Sequence, residues 1–275
     1  MTPSSSFPTM AFIGGGNMAS AIIGGLIAKG MPASQILVVE PWEEARASLR
    51  KNFGIVALPE ASAALASAGL AVWAVKPQTF KDAAAASAEF TRHAVHLSIA
   101  AGITSDSIAA WLATDRIVRA MPNTPALVGK GITGLFARAA VTTNEKLLIE
   151  QVISTTGQFV WVKDESNLDA VTAISGSGPA YVFLFLEAMT QAGKDMGLPP
   201  EQAYQLAVAT FQGGSELAAR SSESPDVLRQ RVTSKGGTTH AAIVHMQEHK
   251  VLEHFIDAMR AAEKRAQELA VEFGK

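Results

Sequence analysis

Gly14, Gly16 and Ala19 stand in the spacing G-x-G-x-x-G/A within GGGNMA, between a short apolar run and an Ala/Ile/Leu-rich segment. Residues of that kind in that order suit a dinucleotide. The first glycine permits a tight turn from strand to helix, the second lets bare backbone approach a pyrophosphate, and a small third residue keeps helix and strand close. Free N–H groups at the helix start, with the helix dipole, then hold the anion. Glycines also make ordinary turns, so the context decides. A strand is expected before the glycines and a helix after them, and an acid, Glu40, closes the second strand about twenty residues past Ala19.

Glu40 is placed to hydrogen-bond ribose hydroxyls. With Glu43 and Glu44 close by and no cation before Arg46, it also repels a 2′-phosphate, which favours NADH over NADPH. The alternative is that Glu40 points to solvent and Arg46 swings in. Doubly wound sheets collect ligands beyond the carboxyl ends of their strands. Three further loops are expected there: VKPQ, starting at Val75, AAG at Ala100–Gly102 and MPNTP at Met121–Pro125. Lys76 suits a ribose or a phosphate, the small Ala100, Ala101 and Gly102 admit a flat ring, and Asn123 offers both a donor and an acceptor. Pro77 and Asn123 are equally residues that make turns.

Two other constellations carry less. His240, His245, His249 and His254 lie in the C-terminal helical stretch, with His245 and His249 at i,i+4 spacing, but no glutamate follows the first of them as H-E-x-x-H requires. A solvated helix face is expected there and no metal site. SGSG at Ser175–Gly178 is not G-x-S-x-G, so no nucleophile elbow is indicated. It reads as a domain junction lining the cleft.

The elements that must position these residues follow from apolar patterning. Strands are expected at Met10–Ile13, Gln35–Glu40, Leu70–Val75, Ala94–Ile99, Ile117–Met121, Thr133–Ala137 and Phe159–Val162. Helical stretches lie between them, such as Asn17–Lys29 and Trp42–Asn52, each closed by a glycine. Alternation of this kind implies βαβ units on a parallel sheet. After about Asp164 the strand signal stops. Helices are expected at Ala180–Met196, from near Glu201, and at Pro225–Thr233, Thr239–Glu248 and Val251–Phe273. The fold class is therefore an N-terminal Rossmann-like, doubly wound α/β domain over residues 1–163 followed by an all-α domain over 164–275. The AYVFLFLEAM helix is apolar nearly all round and needs cover on every side. A second subunit is one source of it, a central place in its own domain the other.

With 48% apolar residues and a net charge of −2, the chain has enough core for two domains and no basic surplus for nucleic acid or an anionic membrane. The expected partner is a small molecule. The absence of cysteine excludes disulfides and thiolate metal sites and fits a cytoplasmic protein. MTPSSSFPT reads as a floppy tail and not a signal peptide. The longest mostly apolar stretch, Ala61–Val75, is interrupted by Ser62, Ser67 and Gly69, so no transmembrane helix is expected.

In GGGNMA, VKP, AAG, RAMPNTPA, AISGSGPAYVF and above all TSKGGTTHAAI, in matching order, the chain resembles pyrroline-5-carboxylate reductase. The resemblance implies a nucleotide-binding domain and a helical domain that binds substrate and dimerises, often into larger rings of dimers. It implies reduction of 1-pyrroline-5-carboxylate to L-proline with NADPH or NADH, the last step of proline synthesis. By motif match, Gly14, Gly15, Gly16, Asn17, Met18 and Ala19, with Ala74, Val75, Lys76, Pro77, Ala100, Ala101 and Gly102, contact the cofactor, and Gly236, Gly237, Thr238 and Thr239 hold the substrate. KGGTTHAAI suits carboxylate capture, its glycines exposing N–H groups, a threonine serving as N-cap and the following helix adding its positive end. Thr239 is the candidate for hydrogen-bonding the ring nitrogen, unless Thr238 and Thr239 merely cap the helix. Members using NADPH often carry a small hydroxyl residue where Glu40 stands. Lys235 replaces a proline common in the family, and is either a charge for a carboxylate or an exposed, solvated lysine.

Two alternatives differ in class. A β-hydroxyacid dehydrogenase of similar build needs a base, often lysine, early in the second domain, and none precedes Lys194 in SGSGPAYVFLFLEAM and its continuation. A non-enzymatic NAD(H)-sensing protein leaves GGTT without a ligand.

Overall fold

A computed structural model describes residues 7–274; Met1–Ser6, most of the expected tail, and Lys275 lie outside the described residues. In chain order the first elements are β1 (Met10–Ile13), α1 (Asn17–Ala28), β2 (Ile36–Val39), α2 (Glu43–Phe53), β3 (Leu70–Trp73), α3 (Pro77–Thr91), β4 (Val95–Ser98) and α4 (Ser105–Leu112). β5 (Ile117–Met121), β6 (Gly131–Ala137), α5 (Thr143–Ile153) and β7 (Gly157–Trp161) complete one seven-stranded sheet in the order β2-β1-β3-β4-β5-β6-β7. Every residue of β1, β3 and β4 is buried, as strands covered on both faces must be. Alternate side chains feed two cores. Met10 and Phe12 of β1 join Ile22, Ile23 and Leu26 of α1 on one face, while Ala11 and Ile13 join Trp73, Phe80 of α3 and Ile108 of α4 on the other.

The expected parallel sheet has one antiparallel pair. β6 runs antiparallel to β5, pairing Val118 with Ala137 and Met121 with Gly134. The link from Met121 to Gly131 is shorter than the dozen or more residues of a parallel crossover, so the chain turns back as a hairpin.

The helices that follow are α6 (Asn167–Val171), a π turn (Thr172–Gly176), α7 (Gly178–Asp195), α8 (Pro200–Arg220), α9 (Pro225–Arg231), α10 (Thr238–Glu248) and α11 (Val251–Phe273). The chain forms two compact units, one reaching to Ser177 and taking up the segment from Ala262 onward, the other Gly178–Ala261. The strands end at Trp161, close to the expected limit at 163, yet the segment after it stays with the sheet. Glu165 pairs with Arg119 of β5 at 2.6 Å and accepts the Ser105 N–H at 2.6 Å, and Leu168 and Ala173 are buried.

In the second unit α7 packs along α8, where Gly193 lets Ala203 come close, and the Phe185 ring meets Phe211 and Phe255. Val182, Phe183, Leu184 and Met189 of α7 remain exposed. Because the π turn carries α6 into α7, Asn167–Asp195 is a 29-residue helical run long and apolar enough, by length and composition alone, to cross a membrane. Its later part was expected as the Ala180–Met196 helix; its continuity with α6 was not, since SGSG reads as a domain junction.

Candidate active site

β1 lies between β2 and β3, so the chain leaves it toward one neighbour and returns beside the other, which opens a crevice beyond their carboxyl ends. The three glycines at that point have three different surroundings. Gly14 has φ +98°, and a Cβ there would sit 2.5 Å from the Ala74 carbonyl oxygen. At Gly15 a Cβ would strike Leu49 at 2.7 Å, whereas at Gly16 it would meet nothing within 4 Å. No neighbour forbids a side chain at Gly16, and the exposed backbone there leaves room for an anion. The first glycine is demanded by the turn and by the loop after β3, the second by α2. Ala19 is fully buried, as close helix–sheet packing requires.

Gly16 is the N-cap of α1 and makes no side-chain capping bond, and the first turn holds no acidic residue. The helix thus presents its positive end and first-turn N–H groups with no acid of its own in front, the nearby Glu40 carboxylate being held by the Gly15 N–H one residue before the cap. This chemistry fits the pyrophosphate of a dinucleotide.

Glu40 is buried, with 6% of its surface exposed. One carboxylate oxygen accepts the Gly15 N–H at 2.8 Å, the other the Trp42 N–H at 2.9 Å. Its own N–H donates to Leu58 O at 2.8 Å. The solvent-pointing alternative is thereby overturned. Arg46 does swing in, but onto the carbonyl oxygens of Glu40, at 2.9 Å, and Pro41, at 2.6 Å, with an ion pair to Glu43. Each Glu40 oxygen keeps a lone pair for a ribose hydroxyl.

Around the crevice, Ala74 continues the ladder by donating its N–H to Ile13 O at 2.8 Å, Val75 flanks Gly14, Lys76 is exposed as the N-cap of α3, and Pro77 begins that helix. Asn17 is exposed, and Met18 and Ala101 are partly so. Ala100 is buried. Gly102 was expected to be small for a flat ring. Its φ is +70°, and a Cβ there would lie 3.1 Å from the Leu269 Cβ of α11, so its size is set by its own turn and by that helix. Asn123, expected to face the cofactor, already uses part of its amide: Oδ1 accepts the Ile132 N–H at 3.0 Å and Nδ2 donates to Ser175 O at 3.1 Å. It braces the β5–β6 turn against the π turn. No sequence signal pointed to Arg46 as the clamp of this turn, nor to Glu165 as the partner of Arg119.

In the second unit, Gly236 has φ +78° and Gly237 is the N-cap of α10. The expected threonine cap is not formed. Thr238 and Thr239 occupy the first helical positions, both exposed, with no side-chain capping bond and no acid in the first turn. Lys235 is exposed. His245, Glu248 and His249 cluster on the exposed side of α10, their ligand atoms within 4.8 Å of one another.

A family profile described as pyrroline-5-carboxylate reductase dimerisation matches residues 165–269, and one described as NADP oxidoreductase coenzyme F420-dependent matches residues 9–102. Over 272 residues the chain is 44% identical to a pyrroline-5-carboxylate reductase of Pseudomonas aeruginosa, covering 98% of this chain and 100% of that one. The chain belongs to the pyrroline-5-carboxylate reductase family. Solved structures agree. The reductase of Coxiella burnetii superposes with a TM-score of 0.89 at 37% identity over 96% of this chain and 99% of that one. That of Plasmodium falciparum, with NADP bound, gives 0.86 at 25% identity over 96% and 99%. As a member of the pyrroline-5-carboxylate reductase family, the chain is an NAD(P)H-dependent oxidoreductase, and neither the β-hydroxyacid dehydrogenase nor the sensor reading is favoured.

Proposed function

We propose that this chain reduces 1-pyrroline-5-carboxylate to L-proline and prefers NADH to NADPH. The observation that carries the substrate reading is the uncapped, acid-free N-terminus of α10 directly after Gly236 and Gly237, in a chain of this family. A small carboxylate is matched there by backbone N–H groups and a helix dipole. The nicotinamide supplies the hydride for the C=N carbon. The chain's own part is to bind and orient. Gly14–Ala19 hold the diphosphate, Glu40 holds the ribose, and the Thr239 hydroxyl hydrogen-bonds the ring nitrogen, steadying the proton it carries. A protonated imine needs no strong protein acid.

The preference for NADH rests on Glu40, a carboxylate where a 2′-phosphate would have to lie, with Arg46 already committed to two carbonyl oxygens and Glu43. The exposed apolar residues of α7 support a homodimer built on that helix, the unit from which a larger ring is assembled. Purified protein incubated with pyrroline-5-carboxylate should oxidise NADH, followed by its absorbance, and NADPH more slowly. No oxidation of either coenzyme overturns the reading, and equal rates overturn the preference.

A further inference from the structure

Trp42 is the exception among the four tryptophans. Trp73 is fully buried against Phe80, Trp111 tilts onto the same ring, and Trp161 donates its indole N–H to Glu150 at 2.7 Å. Trp42 is 76% exposed, and among the described residues its indole meets neither an aromatic ring nor a cation. Exposing so large an apolar surface gains nothing for the fold.

Its backbone, in contrast, is held from several sides. The Trp42 N–H donates to Glu40 at 2.9 Å, its carbonyl accepts the Arg46 N–H at 3.0 Å, and the Arg46 guanidinium grips the two carbonyls just before it. The carboxylate that fixes Trp42 is the one that accepts the Gly15 N–H of the diphosphate loop. The point from which the ring projects is thus fixed relative to Glu40, the group proposed to take the ribose.

We propose that Trp42 is the stacking platform for the adenine of the dinucleotide, an inference that rests on Glu40 holding the adenosine ribose. The base is bonded directly to that sugar, so it must lie within one ring's reach of Glu40, and the indole is the flat apolar surface there. Stacking on an aromatic ring is a strong and undemanding way to hold a base. A clamped backbone lowers the entropy lost when the ring is covered. The same clamp links stacking to coenzyme choice, because recruiting Arg46 to a 2′-phosphate releases the carbonyls that hold Trp42 in place.

The test compares NADH with reduced nicotinamide mononucleotide, which carries the same nicotinamide but no adenosine, by equilibrium titration of the full chain. Trp42→Ala should cut the preference for NADH over the mononucleotide about tenfold, and Trp42→Phe should keep most of it. An unchanged preference in Trp42→Ala overturns the stacking role and leaves the dinucleotide site standing. Equal weakening of both ligands also overturns it, since that marks a change in the fold. If the unsubstituted chain binds no NADH, the reading of the site itself falls.

Discussion

Gly14–Gly16 and Gly236–Gly237 both lead into helices with uncapped, acid-free first turns, but the two junctions are built differently. At the first, Gly14 and Gly15 are buried, the Ala74 carbonyl and Leu49 crowd them, and the Glu40 carboxylate accepts a loop N–H. At the second, a Cβ at Gly236 would meet nothing within 4 Å, and both threonines are exposed. The first junction is held by neighbours within its own unit, while the second presents its backbone donors on exposed residues. A preformed site binds without ordering its own backbone, so under the proposed function affinity for the dinucleotide rests on the first junction and sensitivity to the reacting ring on the second.

The largest expected effect falls on the preformed junction. Gly14→Ala must place a Cβ against a carbonyl at positive φ and should cost about 3 kcal/mol of stability, with loss of dinucleotide binding. Gly236→Ala, also at positive φ but with open space around it, should cost only about 1–2 kcal/mol. Equal losses in denaturant titrations would erase the contrast. Next is Thr239→Ala, which should lower kcat by roughly tenfold or more while the Kd for NADH stays unchanged. A fully active variant would remove Thr239 from the chemistry.

Glu40→Ser should raise the NADPH-to-NADH ratio of kcat/KM about tenfold by removing a charge that opposes the 2′-phosphate. Glu40→Gln removes the charge while its one amide oxygen can still accept from Gly15, with loss of the bond from the Trp42 N–H. An unmoved ratio in both variants would deny Glu40 a part in coenzyme choice.

The smallest effect concerns β4, below the Ala100–Gly102 loop. Burial, aided by the nearby Arg116, lowers the pKa of His96 to about 4. The folded state therefore keeps this imidazole neutral, and its contribution to stability is complete above the unfolded value near 6.5 and declines as pH falls toward 4. Acidification to about pH 5.5 should remove about 1 kcal/mol from the first unit. His96→Gln, able to accept from the Trp73 indole, should flatten that dependence. The same slope in both proteins would assign it elsewhere.

Much of this was legible because strong periodic patterns mark elements well. β1, β5 and α11 begin and end where their apolar patterns do, and the G-x-G-x-x-A spacing marked the crevice. What escaped was non-local. The β5–β6 hairpin is legible in its short connection, but the β-branched runs concealed its direction. The bracing role of Asn123 was hidden because its partners, the Ile132 N–H and the Ser175 carbonyl, are backbone groups that no sequence pattern displays. Thr238 and Thr239 looked like caps by residue type, yet the glycine before them starts the helix.

The return of α11 to the first unit has a consequence for biogenesis. The Ser107 hydroxyl donates to Gly274 O across 167 residues of chain, at 2.7 Å, and Leu269 stands against Gly102. A ribosome working from the amino end has released every strand long before these contacts can form. The nucleotide unit therefore waits, unfinished, for the tail of the polypeptide to emerge and close it.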